Sequence, residues 1–137
     1  VVKKYAIFFI QKGLTLHLHD LNRTIVTDKK WFMIILEQVL SNSLKYTQTG
    51  GIEIYCQGDT LYLKDTGLGI KDSDILRVFE RGFSGYNGRL THQSSGLGLY
   101  LSKKIANQLG NSLALESQVG EGTTVKIGLA EKRFVIE

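Results

Sequence analysis

"DKKWFMIILEQVLSNSLKYT", residues 28–47, decides how the chain is to be read. Its apolar residues recur every three or four positions, the period of a helix and not of a strand. Wound at about 100° per residue, Phe32, Leu36, Val39, Leu40 and Ser43 cluster on one side. Gln38, Asn42 and Lys45 fall within an arc of roughly 60° on the other, with Tyr46 at its margin. Asp28 is placed to cap the start, and "TGG" breaks the helix after about Thr47. One face packs; the other presents two amides and an ammonium.

After this helix, "GIEIYCQ" (51–57) and "TLYLKD" (60–65) alternate apolar and polar residues around Gly58-Asp59, which predicts a β-hairpin. Upstream, "LTLHLHD" (14–20) reads as a half-buried strand and "TIVT" (24–27) as a second short one, after a lead-in "VVKKYAIFFIQKG" that ends at Gly13. Downstream, "DTGLGIKDSD" is a glycine turn entering a short helix over about residues 72–80. Residues 81–95, "RGFSGYNGRLTHQSS", follow neither period and form a long polar loop, a feature that in a compact domain is usually functional. "GLGLYLSKKIANQLG" returns to helix and stops at Gly110; "NSLALESQ" and "GTTVKIGLA" close the chain as two strands joined by "VGEG". Strands linked by short turns and helices with one polar side imply an α+β two-layer sandwich. Its mixed, mostly antiparallel sheet is covered on one face by helices.

Size and composition agree. A chain of 137 residues, 42% hydrophobic and 22% charged, is one globular domain able to bury a core. The apolar runs "YAIFFI" and "WFMIIL" are far shorter than the roughly 20 residues that cross a bilayer. The single Cys56 leaves no internal disulfide, and three histidines with one cysteine give no metal-ligand spacing, which suits a reducing cytosol. The net charge of +4 is scattered and not concentrated in a basic block, which argues against nucleic acid and suits a small phosphate-bearing ligand. Proline is absent, while the fifteen glycines are bunched where the backbone must turn sharply or approach something closely.

Alone, Asn42 and Lys45 are accounted for by an ordinary solvated helix face. Two glycine clusters change that. In "DTGLGI" (65–70), Asp65 ends an apolar strand and Gly67 and Gly69 open the backbone beyond it; a lone pair of glycines is otherwise just a turn. "SSGLGL" (94–99) repeats the pattern immediately before a helix, where free N–H groups and the helix dipole favour phosphate. A carboxylate can accept a hydrogen bond from an exocyclic amine, a glycine floor admits a flat base, and an asparagine amide oxygen suits magnesium. No Walker motif is present, so this is a magnesium-nucleotide site of another kind.

Five stretches, "LEQVLSNSLKYT", "DTGLGI", "RVFERGF", "SSGLGLYLSKKIA" and "GEGTTVKI", resemble the successive N, G1, F, G2 and terminal glycine-threonine boxes of the sensor histidine kinase ATP-binding domain. That domain belongs to the GHKL superfamily and has the Bergerat fold; the resemblance covers roughly residues 14–129. It implies ATP and Mg2+ as cofactors. Asn42 would be the magnesium ligand, Lys45 a phosphate contact and Tyr46 a ring beside the adenine. Asp65 would take the adenine amino proton, Gly67 and Gly69 would shape the pocket and Ile70 would line it. Phe79 and Arg81 would belong to a lid, Arg81 reaching toward the terminal phosphate. Gly96, Leu97, Gly98 and Leu99 would hold the phosphates, and Thr123 would support Asp65 through water. Tyr46 and Phe79 also fit as plain core aromatics.

One departure matters. Where the ATPase branches carry a glutamate that activates water, this chain has Gln38, and an amide cannot take a proton; Glu37 points about 100° away around the helix. His19-Asp20 looks like the pair of a phosphoacceptor box, but the alternation puts it on a strand, and His17, His19 and His92 read as surface histidines. The chain is therefore expected to be the catalytic fragment of a larger bacterial membrane sensor kinase, a cytoplasmic domain that is itself not membrane-inserted. Its dimerisation domain, which carries the phosphoacceptor histidine and forms the homodimer, and a response regulator would be its partners. The lid and G2 sequences also look similar to intramembrane-sensing kinases that answer antimicrobial peptides. An anti-sigma-type serine kinase and a degenerate partner-binding domain are the competing readings.

Overall fold

The computed structural model describes residues 2–21, 28–75, 77–80 and 98–129. In chain order these form α1 (Val2–Gln11), β1 (Thr15–His19), α2 (Lys29–Tyr46), β2 (Gly51–Gln57), β3 (Thr60–Asp65), α3 (Asp72–Ile75), α4 (Gly98–Leu109), β4 (Ser112–Gln118) and β5 (Gly122–Gly128). The five strands make one sheet in the order β1-β2-β3-β5-β4, with β1 parallel to β2 and every other pair antiparallel. The mixed, mostly antiparallel α+β sandwich expected from the sequence is the fold observed.

Local chemistry sets the ends of the helices. Asp28 is extended and its carboxylate accepts from Trp31 N–H, the predicted N-cap of α2. At the other end the Thr47 N–H donates to Ser43 O at 3.0 Å, and Lys12 Nζ donates to Leu44 O at 2.6 Å. A cation on terminal carbonyls is also favoured by the helix dipole. Leu14 N–H reaches Phe9 O at 2.8 Å around Gly13, whose φ of +76° is open to glycine at little cost, so α1 stops there.

Alternation along the strands divides the sheet. Ile52, Ile54, Leu61, Leu63, Leu113, Val125 and Ile127 face the helices and are buried with Phe9, Phe32, Ile35, Val39 and Leu40. The packing face of α2 differs from expectation in two residues: Ile35 is fully buried and Leu36 only half-buried. The opposite face of the sheet carries a cross-strand stack of His19, Tyr55 and Tyr62, with ring centroids 4.9 Å apart at each step. His19 lies at the end of a strand, as its alternation predicted, bonded to Asp20 at 2.9 Å and Glu53 at 2.5 Å. These two bonds, Asp20's first, hold its imidazole above the usual histidine range.

The helix expected over about 72–80 is shorter. Beyond α3, Arg77 N–H bonds Asp74 O and Glu80 N–H bonds Arg77 O, a succession of tighter i→i+3 turns that buries Val78 and half-buries Phe79. "TIVT" and the loop expected at 81–95, with His92 in it, lie outside the described residues. Among the described residues no helix is long and apolar enough to cross a membrane.

Candidate functional site

The site grows from the end of β3, the middle strand of the sheet. Asp65 is its last residue, facing the helices, and is 9% exposed. A buried carboxylate must be hydrogen-bonded, and this one is held by three donors. Its Oδ1 accepts from Gly67 N–H at 2.9 Å and Thr123 N–H at 3.1 Å; its Oδ2 accepts from Ser43 Oγ at 3.2 Å. Burial pushes the Asp65 carboxyl above the usual range, and the three donors pull it back. Asp65 therefore ionises at a higher pH than a free aspartate but in a setting shaped for the charged form.

The loop after Asp65 is fixed from both sides. Leu68 N–H donates to Tyr46 O at 2.9 Å at the end of α2, and Gly120 N–H of the β4–β5 turn donates to Leu68 O at 3.0 Å. Ile70 N–H meets Ser117 Oγ at 2.7 Å, and that hydroxyl is shared with Thr123 Oγ1 at 2.8 Å. Thr66 Oγ1 ties the loop to β2, accepting from Gly51 N–H at 3.0 Å. Only glycine fits the two turn positions. A Cβ on Gly67 would stand 2.6 Å from Tyr46 O and 3.0 Å from both Asp65 Oδ1 and Thr47 Oγ1. Gly69 has φ +76°, and a Cβ there would lie 2.1 Å from Gln118 O.

The structure thus gathers Asp65, Gly67, Gly69, Ile70 and Thr123 into one hydrogen-bonded unit with the C-terminal turn of α2. Thr123 reaches Asp65 directly through its backbone N–H. Asn42, Lys45 and Tyr46 are half-buried on α2, Asn42 next to Ser43 in sequence and Lys45 two residues beyond it. Gly98 and Leu99 begin α4, which packs along α2 and has no acidic residue in its first turn. Phe79 packs against the core with Lys103 Nζ 5.4 Å from its ring centroid, while Lys103 also donates to Leu113 O at 2.8 Å. Arg81, Gly96 and Leu97 lie outside the described residues. Among the described residues no cluster of three His, Cys, Asp or Glu side chains could hold a metal.

Sequence reasoning missed Ser43 and Thr47. Both were legible as helix positions four residues apart, on one face, but a small hydroxyl on an apolar face reads as filler. Ser43 bonds the carboxylate, and Thr47 Oγ1, wholly buried, has no hydrogen-bond partner among the described residues.

Residues 27–133 match the family described as histidine kinase-, DNA gyrase B-, and HSP90-like ATPase. The chain belongs to this ATPase family. Within it, 117 residues are 43% identical to the Sensor protein kinase GraS of Staphylococcus aureus strain JH1, and equally to that of strain Mu3. Those alignments take in 82% of this chain but 34% of each relative, so the ATPase-family chain spans about a third of their length. Two solved structures share its fold. The full-length ShkA structure in complex with AMPPNP superposes with a TM-score of 0.79 at 19% identity, over 93% of this chain and 28% of that one. The mycobacterial sensor histidine kinase MprB gives 0.73 at 21% identity, over 93% and 89%.

Proposed function

We propose that this chain is the ATP-binding catalytic domain of a bacterial membrane sensor histidine kinase, of the type that responds to antimicrobial peptides. In this reading it binds Mg-ATP and donates the γ-phosphoryl group to a histidine on the kinase's dimerisation domain, from which a response regulator takes it. The observation that carries the reading is Asp65, a buried carboxylate pinned by three donors beside a floor that only glycine can form. The kinship with GraS sensor kinases supports the choice of histidine kinase over other branches of the family, and with it a position on the cytoplasmic side of a membrane protein.

The residues present fit a nucleotide. Asp65 offers an acceptor to the adenine amine, and the orphaned Thr47 hydroxyl beside Gly67 supplies a further polar group under the base. Gly67 and Gly69 keep side chains off the floor, with Ile70 and Tyr46 at its sides. The start of α4 at Gly98 and Leu99 offers N–H groups to phosphate, and the family resemblance would add Gly96 and Leu97 as phosphate contacts. Lys45 adds a positive charge, and Asn42 would hold magnesium, an ion that takes few protein ligands and several waters. When bound, magnesium supplies charge neutralisation at the phosphates. Phe79, packed against the core, would anchor the base of a lid, and Arg81 would supply a cation to the γ-phosphate. Phosphoryl transfer asks for positioning and electrostatics more than for covalent chemistry. Gln38, half-buried one turn before Asn42, withholds a general base, so water is not activated and ATP is kept for the histidine.

Incubated alone with Mg-ATP, the chain is expected to bind nucleotide but neither label itself nor hydrolyse ATP quickly. Addition of the histidine-bearing dimerisation domain of the full-length kinase should yield acid-labile, base-stable phosphate on that domain. Acid-stable phosphate on a partner's serine would instead indicate an anti-sigma-type kinase, and failure to bind ATP a partner-binding domain.

Asn42→Ala should remove the magnesium dependence of ATP binding with a stability change within about 0.5 kcal/mol, since the residue is on the polar side of α2. Titrations with and without magnesium, paired with a thermal melt, check both halves. A large fall in melting temperature with magnesium dependence intact would make Asn42 structural.

A further inference from the structure

An ionised carboxylate has about four acceptor directions, two on each oxygen. Both directions on Asp65 Oδ1 are taken by backbone N–H groups, from Gly67 and Thr123. Ser43 Oγ takes one of the two on Oδ2, which leaves a single acceptor direction on the whole group. Ser43 itself is 4% exposed and fixed in the last turns of α2, where its carbonyl accepts from Thr47 N–H. The hydroxyl thus has little freedom to turn away. A carboxylate held on Oδ1 alone retains rotational play about its Cβ–Cγ bond; a third contact on the other oxygen removes it.

The geometry points to Ser43 as a positioning residue for base recognition: its hydroxyl locks Asp65 Oδ2 so that the one remaining acceptor direction meets the exocyclic amine of adenine. This rests on the proposed ATP site and adds to it a residue that touches no part of the nucleotide. The groups bonded to the carboxyl are neutral: the Ser43 hydroxyl from α2, and the N–H groups of Gly67 in the glycine loop and Thr123 in β5. Among the described residues, no charged side chain contributes to the shift of Asp65. Because Ser43 favours the ionised form, its removal also lets the carboxyl protonate at higher pH.

The test compares ATP with purine riboside 5′-triphosphate, which lacks the amine, by calorimetry on the intact chain. Wild type should prefer ATP; absence of ATP binding or of that preference would sink the adenine reading itself, before Ser43 is at issue. Given that preference, Ser43→Ala should weaken ATP binding about tenfold, as for one hydrogen bond to a charged group. It should leave the analogue's affinity unchanged and move the acid limb of ATP binding to higher pH. Ser43→Cys, a weaker donor of similar size, should fall between. Folding of each variant is checked by circular dichroism. Equal losses for both nucleotides, or an unmoved acid limb in a folded Ser43→Ala protein, would reduce Ser43 to packing and overturn the inference. If Ser43→Ala does not fold, Ser43→Cys decides by the same two readouts.

Discussion

Asp65→Asn is expected to cut ATP affinity by roughly 100-fold or more, because a site built to pair a polar group loses far more than a packing contact when the pair is broken. The direction follows from the bonding around the carboxyl. The amide oxygen of the substituted side chain can stay in place of Oδ1, still accepting from the Gly67 and Thr123 N–H groups. Its NH2 then occupies the Oδ2 position, where Ser43 Oγ can turn to accept from it. The two backbone contacts survive and the Ser43 oxygen stays in place with its bond reversed, so the fold should persist. Only the outward direction changes, from acceptor to donor, and it opposes the adenine amine. GTP should bind far more weakly than ATP to the wild-type chain for the mirror reason, since guanine offers a carbonyl where adenine offers the amine. Calorimetry with a thermal melt reads both, and near-normal ATP affinity in a folded Asp65→Asn protein would remove the adenine assignment.

The second large effect is structural. Gly122 opens β5 with φ +131°, and a Cβ there would lie 2.0 Å from Asp65 O and 3.0 Å from Thr66 Cα. Gly122→Ala combines an unfavourable backbone conformation with overlap on backbone atoms that cannot swing aside. A loss of about 3 kcal/mol is expected, which for a domain of this size lowers the melting temperature by roughly 10 °C. Gly120→Ala is the control: φ is +85°, but nothing stands within 4 Å of the added carbon. Its cost should be limited to the left-handed conformation, about 1–2 kcal/mol. Equal melting temperatures for the two variants would show that the strands separate readily at Asp65.

The sequence carried most of this fold because its strongest signals are local. Alternation in "GIEIYCQ" and "TLYLKD", the Asp28 cap and the stops at Gly13 and Gly110 each depend on neighbours a few residues away, and each reappears in the structure. Strand order was not legible, since nothing within β3 says that it pairs with β5 some 60 residues on. The end of α3 was missed because Val78 and Phe79 keep a helical spacing while the chain tightens into turns to bury them. At the site, Asp65 and the glycines stood out by type, as did Asn42 and Lys45 by their place opposite the apolar stripe. Ser43 did not, because its significance lies in a partner 22 residues away. Thr123 stands out only through the glycine-threonine box, because its contact with Asp65 is made by a backbone N–H that any residue except proline would supply.

The order β1-β2-β3-β5-β4 has a consequence for how the domain comes together. β2 with β3, and β4 with β5, are hairpins that each stretch of chain can form by itself, whereas β3 and β5 meet only when the two ends of the domain associate. Asp65 and Thr123 sit on opposite sides of that seam, so the carboxylate acquires its full set of donors at the closing step of assembly. A half-folded chain therefore lacks the Thr123 donor to Asp65. A nucleotide that engages Asp65 binds the joined state alone and holds the seam shut, raising stability by about 2.7 kcal/mol at a concentration roughly 100 times its dissociation constant.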